Sequence, residues 1–251
     1  MTTLLRSFTP VDPMRRTALW TGIFFIITYI TSIPALLIFN SVLDDADYIV
    51  GSGSENRLLV GVSLELLLIV ANIATAVVLF PVIKRQSEVL SLGFVTARVM
   101  ESAFIAVGIL SVLAVVTLRQ DAAGTASADT GALVVAGQSL VAVKDASFLL
   151  GPGFVVGVGN GLILGYLMYR SGLVPRPMAM LGLIGGLLIC ISGIAMVFGV
   201  LELGSPLQML SSTPEFFWEL ALGIWLIVKG FRASPLTEDL PETAVAGAPA
   251  D

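Results

Sequence analysis

Apolar residues fall in six long runs separated by short stretches that carry the charges, prolines and most of the small polar residues. A hydrocarbon core about 30 Å thick takes roughly 20 helical residues at 1.5 Å each. The runs Thr17–Phe39, Leu58–Ile83, Leu92–Leu118, Asp145–Tyr169, Met178–Leu201 and Pro214–Gly230 meet or approach that length. They predict an all-α, polytopic membrane bundle of six transmembrane helices. It is framed by an N-terminal segment 1–16 and a disordered tail 231–251. The last run is the shortest, and its start reads as a helix signal: Thr213 as N-cap, Pro214 at the first helical position, then Glu215. The first run has two arginines before it, but its 23 residues exceed a signal-peptide core and no clear cleavage site follows. It reads as a retained anchor.

Basic residues fix the expected orientation. Arg6, Arg15, Arg16, Lys84, Arg85, Arg170, Arg176, Lys229 and Arg232 lie on the side of the termini, against Arg57, Arg119 and Lys144 on the other. Nine against three places both termini in the cytoplasm. Trp20, Tyr166, Tyr169 and Trp218 fall near span ends, where amphipathic rings favour the headgroup layer.

Composition narrows the class. Of 251 residues, 56% are hydrophobic and 12% charged, and mean hydropathy is +0.96. About 25% charged residues is usual for a soluble domain, and half of that cannot cover a water-soluble particle. A net charge of -5 argues against a nucleic-acid partner. The chain has no histidine and one cysteine, Cys190. That excludes bis-histidine haem, HExxH zinc hydrolysis, Ser-His or Cys-His nucleophiles and cysteine-held clusters, so neither cofactor nor metal is expected. The lysines Lys84, Lys144 and Lys229 read as helix-end residues, which argues against a buried Schiff base. Asp44, Asp45, Asp47 and Glu55 lack EF-hand spacing and read as a solvated acidic loop. Within the loop 119–144, the apolar half Leu133–Val143 reads as a short interfacial helix.

Polar residues inside the spans are the candidate chemistry, because an ionisable group in hydrocarbon costs several kcal/mol. They are Glu65, Arg98, Glu101 and Glu219, with Asn72 and Asn160. Counted from the cytoplasmic ends at 1.5 Å per residue, Arg98, Glu101, Asn160, Glu219 and Asn72 share a layer about 9 to 17 Å deep. Glu65 sits above it, toward the outer face. Arg98 and Glu101 are three apart and share a helix face. An arginine there needs a carboxylate, and Glu101 and Glu219 compete for it, so the two glutamates are expected to differ in protonation. The same cluster could simply fix helix register. Gly153, Gly157, Gly161 and Gly165 form a small-residue strip at every fourth position, with Gly182 and Gly186 as a shorter one, expected to pack helices closely. Pro152 is expected to bend the span near its first turn.

Three phrases resemble a bacterial six-helix membrane family known as domain of unknown function 4386. They are Gly165-Tyr-Leu-Met-Tyr-Arg-Ser-Gly-Leu-Val-Pro-Arg176 with Met180-Leu-Gly-Leu-Ile-Gly185, Arg98-Val-Met-Glu101, and Glu219 with Leu222-Gly-Ile-Trp-Leu-Ile-Val-Lys-Gly-Phe231. The resemblance covers roughly Arg15 to Phe231. It implies six helices and a bacterial inner membrane, with Arg98, Glu101 and Glu219 as family-typical positions, and it brings no activity. Three functions remain open: a small permease or ligand-binding membrane protein whose polar layer takes a solute, proton or ion; an enzyme using a protonated glutamate as general acid on an isoprenoid or other lipid ligand; and a non-catalytic subunit. Without an internal repeat, a six-helix permease is expected to act as a homodimer in the lipid bilayer.

Overall fold

A computed structural model describes residues 12–43, 48, 55–123 and 130–238. The acidic residues Asp44, Asp45 and Asp47, together with Arg6 and the tail from residue 239 on, lie outside the described residues. Among those described there are helices and no strands. The helices are α1 (Pro13–Leu43), α2 (Glu55–Ile83), α3 (Glu88–Ala123), α4 (Thr130–Leu150), α5 (Gly165–Ser171), α6 (Arg176–Val197), α7 (Pro206–Val228) and the short α8 (Pro235–Glu238). Between α4 and α5 the chain stays helical through two π-helical stretches, π1 (Gly151–Val155) and π2 (Gly157–Leu164).

Among the described residues five helical stretches are long and apolar enough to cross a membrane: Pro13–Asn40, Glu55–Ile83, Glu88–Asp121, Thr130–Ser171 and Arg176–Val197. Exposed large side chains such as Ile30, Leu37, Val70, Leu110 and Ile191 cover their outer faces. A water-soluble protein would bury or break up such a surface. Neighbouring helices pack as α1 on α2, α2 on α3, α3 on α4 and π2, π2 on α6, α6 on α7, and α7 back on α1, closing a ring. Two apolar cores fill it. One joins Phe25, Leu79, Phe94, Leu167, Trp218 and Leu222, and the other Phe39, Leu58, Leu68, Ile105 and Val112. Along α2 and α3 the first core ends, and the second begins, on either side of Asn72, Arg98 and Glu101, so the polar residues lie between the two.

Several expectations are corrected. The fourth helical stretch starts at Thr130, not Asp145. Leu133–Val143 is therefore continuous with it rather than a separate interfacial piece, and it is tied to α3 by the Ser111 hydroxyl donating to the Leu140 carbonyl. Pro152 then sits mid-helix, where it has no N–H to give and its ring crowds the carbonyl four residues back. The local answer is the π register of π1. The helix α7 begins at Pro206, capped by the Ser205 hydroxyl accepting from the Gln208 N–H at 3.4 Å. A serine-proline pair eight residues upstream thus wins over Thr213-Pro214, and Thr213 turns its hydroxyl back onto the Met209 carbonyl instead. The segment 231–238, expected to be disordered, carries α8 and docks: the Arg232 N–H donates to the Leu173 carbonyl at 2.8 Å and the Ser234 hydroxyl to the Ser171 carbonyl at 2.7 Å.

Glycines set the closest approaches. A Cβ at Gly161 would stand 2.2 Å from the Gly186 Cα, and one at Gly157 would stand 2.8 Å from the Gly186 carbonyl oxygen. The partner of Gly182 is different: a Cβ there would meet the Trp218 ring of α7 at 2.7 Å.

Candidate functional site

The polar layer is assembled from four walls of the ring. Asn72 comes from α2, Arg98 and Glu101 from α3, Asn160 from π2, and Glu219 from α7. Arg98 is 2% exposed and is held by three donations. Its Nη1 gives to Glu101 Oε2 at 2.7 Å, its Nη2 to Asn72 Oδ1 at 2.6 Å, and its Nε to the Asn72 carbonyl at 3.4 Å. Asn72 completes the loop by donating Nδ2 to Glu101 Oε1 at 2.9 Å. The Arg98 guanidinium also lies 5.9 Å from the Phe25 ring centroid on α1. Every oxygen of Glu101 and the Asn72 amide group is therefore engaged. That closure replaces the hydration the buried guanidinium has lost.

Glu219 goes elsewhere. It accepts from the Asn160 amide, while Arg98 belongs to Glu101. The competition between the two carboxylates thus resolves into two subsites, one cationic–anionic and one built on an amide. The subsite on α7 is fixed by Trp218, whose indole N–H donates to the Asn160 carbonyl at 3.0 Å. Trp218 is fully buried, so its expected place in the headgroup belt is wrong. Gly182 leaves the flat space that its ring needs.

Glu215 joins this layer unannounced. A helix starting at Thr213-Pro214 would put it in a first turn at the surface, but it lies mid-way along α7, one turn from Glu219 on the same face, and is 2% exposed. Its carboxylate lies against Gly161 and Gly185: a Cβ at either would come 2.7–2.8 Å from Glu215 Oε2. Among the described residues neither Glu215 oxygen has a hydrogen-bond partner, and Asn160 Oδ1 has none either. The available signal was the second serine/threonine-proline pair upstream: with the start of α7 moved to Ser205, Glu215 becomes an interior residue.

Glu65 is separate from the layer, seven residues from Asn72 and so about 10 Å along α2. It forms an ion pair with Lys144 of α4. Lys144 is 7% exposed, with its amine 4.6 Å from the Phe39 ring centroid. Lys144 is therefore an interior residue of α4 and not the helix-end residue expected, and it is a buried amine. The charge is hidden because its helix extends 14 residues upstream to Thr130. Cys190 is partly buried beside Gly157. Among the described residues no group of three or more histidine, cysteine, aspartate or glutamate side chains is placed to hold a metal ion.

A family model described as "Domain of unknown function (DUF4386)" matches residues 20–230. No curated protein and no solved structure matches the chain.

Proposed function

The chain belongs to the DUF4386 family, and from that premise we propose that it is a six-span protein of the bacterial inner membrane acting as a small permease or ligand-binding membrane protein, its polar layer taking a small solute, proton or ion. The observation that carries this reading is Glu215, a carboxyl group buried inside the bundle with neither oxygen partnered among the described residues. A buried polar atom without a partner costs about 1–3 kcal/mol, more if charged, and is retained where something else supplies the partner. A proton or small ion supplies it. The occupant is small because Asn72, Arg98, Asn160 and Glu215 around it are almost wholly covered. Register alone is a weaker explanation, since Arg98, Glu101 and Asn72 already form a closed network that could fix it.

The sixth span in this reading is α7. Its 23 residues reach about 34 Å and close the ring between α6 and α1. It falls short of the other five in hydropathy because Ser211, Ser212, Thr213, Pro214, Glu215 and Glu219 interrupt its apolar run, and of these Glu215 and Glu219 belong to the polar layer. Both termini then lie in the cytoplasm, on the side of Lys84, Arg85, Arg170 and Arg176.

The test is flux. Purified protein in liposomes, given a membrane potential by a potassium gradient with valinomycin and loaded with an internal pH dye, should change internal pH faster than protein-free vesicles do. Sodium is tested in parallel as the alternative ion. Glu215→Gln should slow the responsive flux at least tenfold while helicity is kept. Wild-type protein that moves neither ion, and whose melting no small solute shifts, would overturn the proposal.

A further inference from the structure

We propose that the cleft between the α5–α6 turn and the segment after α7 is a binding site for a phosphate group, presented by the headgroup of an anionic phospholipid. This is independent of the polar layer. The cleft has a volume of about 340 Å³ and is lined by Gly172, Val174, Arg176, Pro177, Arg232 and Ala233. Two of those six residues carry guanidiniums, from positions far apart in the chain. The fold brings them together deliberately: the Arg232 N–H bonds the Leu173 carbonyl at 2.8 Å and the Ser234 hydroxyl bonds the Ser171 carbonyl at 2.7 Å, stapling one rim to the other. Gly172, at φ +67°, makes the left-handed turn that ends α5 and opens the cleft.

Two like charges held around one cavity repel unless an anion sits between them. The protein supplies none: neither Arg176 nor Arg232 makes an ion pair among the described residues, and Arg176 only leans over the Tyr169 ring, 5.8 Å from its centroid. The amino end of the 22-residue α6 opens at Arg176 and adds potential of the same sign. Guanidiniums match phosphate oxygens bidentately, and the volume suits one headgroup. The location selects the source. The cleft lies where α5 and α7 end and α6 begins, the level at which apolar helices leave hydrocarbon, and basic pockets between such helix ends recognise phospholipid headgroups.

The experiment compares wild-type protein with R176Q/R232Q and with K84Q/K229Q, which removes the same charge from exposed lysines that do not line the cleft. Each is purified in a neutral detergent, checked for unchanged helicity and lipid-free melting, and titrated with phosphatidylglycerol, phosphatidylcholine or inorganic phosphate alone. Binding is read by native mass spectrometry and by thermal shift. The expected result is one tightly held phosphatidylglycerol per wild-type chain, at least tenfold weaker binding in R176Q/R232Q, and a change within twofold in K84Q/K229Q. Inorganic phosphate binding with the same arginine dependence, without lipid retention, supports the phosphate chemistry and moves its source to solution. Equal loss in the two double variants, or no loss in R176Q/R232Q, overturns the site.

Discussion

Arg98→Met removes one charge from the closed network and leaves three acceptors behind: Glu101 Oε2, Asn72 Oδ1 and the Asn72 carbonyl. The neutral acceptors contribute modestly, because separated helices in a micelle also find partners, and such bonds are worth about 0.6 kcal/mol each in that setting. The carboxylate dominates. Breaking a buried ion pair from one side costs about 3–5 kcal/mol, since the surviving charge stays in low dielectric. The variant should therefore lose about 4 kcal/mol, equivalent to roughly 8–16 °C in melting for a chain of this size. Glu101→Leu should cost a similar amount, because it strands the guanidinium instead. The double variant R98M/E101L strands neither charge and should lie about 1–2 kcal/mol below wild type, so the two single effects fall short of additivity by several kcal/mol. Reversible unfolding in mixed neutral-detergent and dodecyl sulfate micelles, followed by circular dichroism, measures all four corners. An Arg98→Met cost under 1 kcal/mol, or a cycle that adds, would refute the buried pairing.

Lys144→Met should also cost about 3–5 kcal/mol by stranding Glu65. Because Glu65 and Asn72, the α2 members of the two networks, lie about 10 Å apart and the networks share no partner, its effect should add to that of Arg98→Met within about 0.5 kcal/mol in the same unfolding assay. Gly161→Ala should destabilise by about 1–3 kcal/mol or more, since its Cβ would stand 2.2 Å from the Gly186 Cα. Gly93→Ala, whose Cβ meets only Ile163 Cδ1 at 3.4 Å, should gain up to about 1 kcal/mol of helix propensity. Equal melting temperatures for these two alanines would contradict the packing. In a Cys190→Ala background, Ser87→Cys should react with a membrane-impermeant maleimide only in inverted vesicles, and Glu202→Cys only in intact spheroplasts. The opposite labelling would reverse the orientation.

The first three helices were legible because each is one apolar run with polar residues at both ends, and Asn72, Arg98 and Glu101 interrupt those runs at positions that converge. The upstream half of the fourth was not. Ala, Gly, Ser and Thr around residue 130 lower the hydropathy without stopping a helix, so Lys144 looked like a boundary when it was an interior cation awaiting Glu65. The start of α7 was misplaced because Ser205-Pro206 and Thr213-Pro214 carry the same capping signal, and only packing against α6 and α1 chooses between them. That one shift moved Glu215 and Trp218 from the bilayer surface to the bundle interior. Which carboxylate meets Arg98 was also invisible: spacing allowed Glu101 and Glu219 alike, and the answer lies in tertiary contacts, with Glu101 taken by Arg98 and Asn72 and Glu219 by the Asn160 amide.

The layer's two halves make opposite predictions for a conservative change, and this separates register from function. A group retained for register is bonded, so neutralising it weakens the fold; Glu101, held by Arg98 and Asn72, is of that kind. Glu215 accepts no hydrogen bond among the described residues, so Glu215→Gln removes no partner, keeps the shape that Gly161 and Gly185 accommodate, and lightens the burden of an unsatisfied carboxyl. Its unfolding free energy should equal or exceed that of wild type, while ion flux falls at least tenfold, the trade expected where a strained group is kept for activity. Glu101→Gln should show the reverse order, with stability lost first. If Glu215→Gln instead weakened the fold by 1 kcal/mol or more, some donor must reach that carboxyl in the resting protein, and the argument for an external occupant would fail with it.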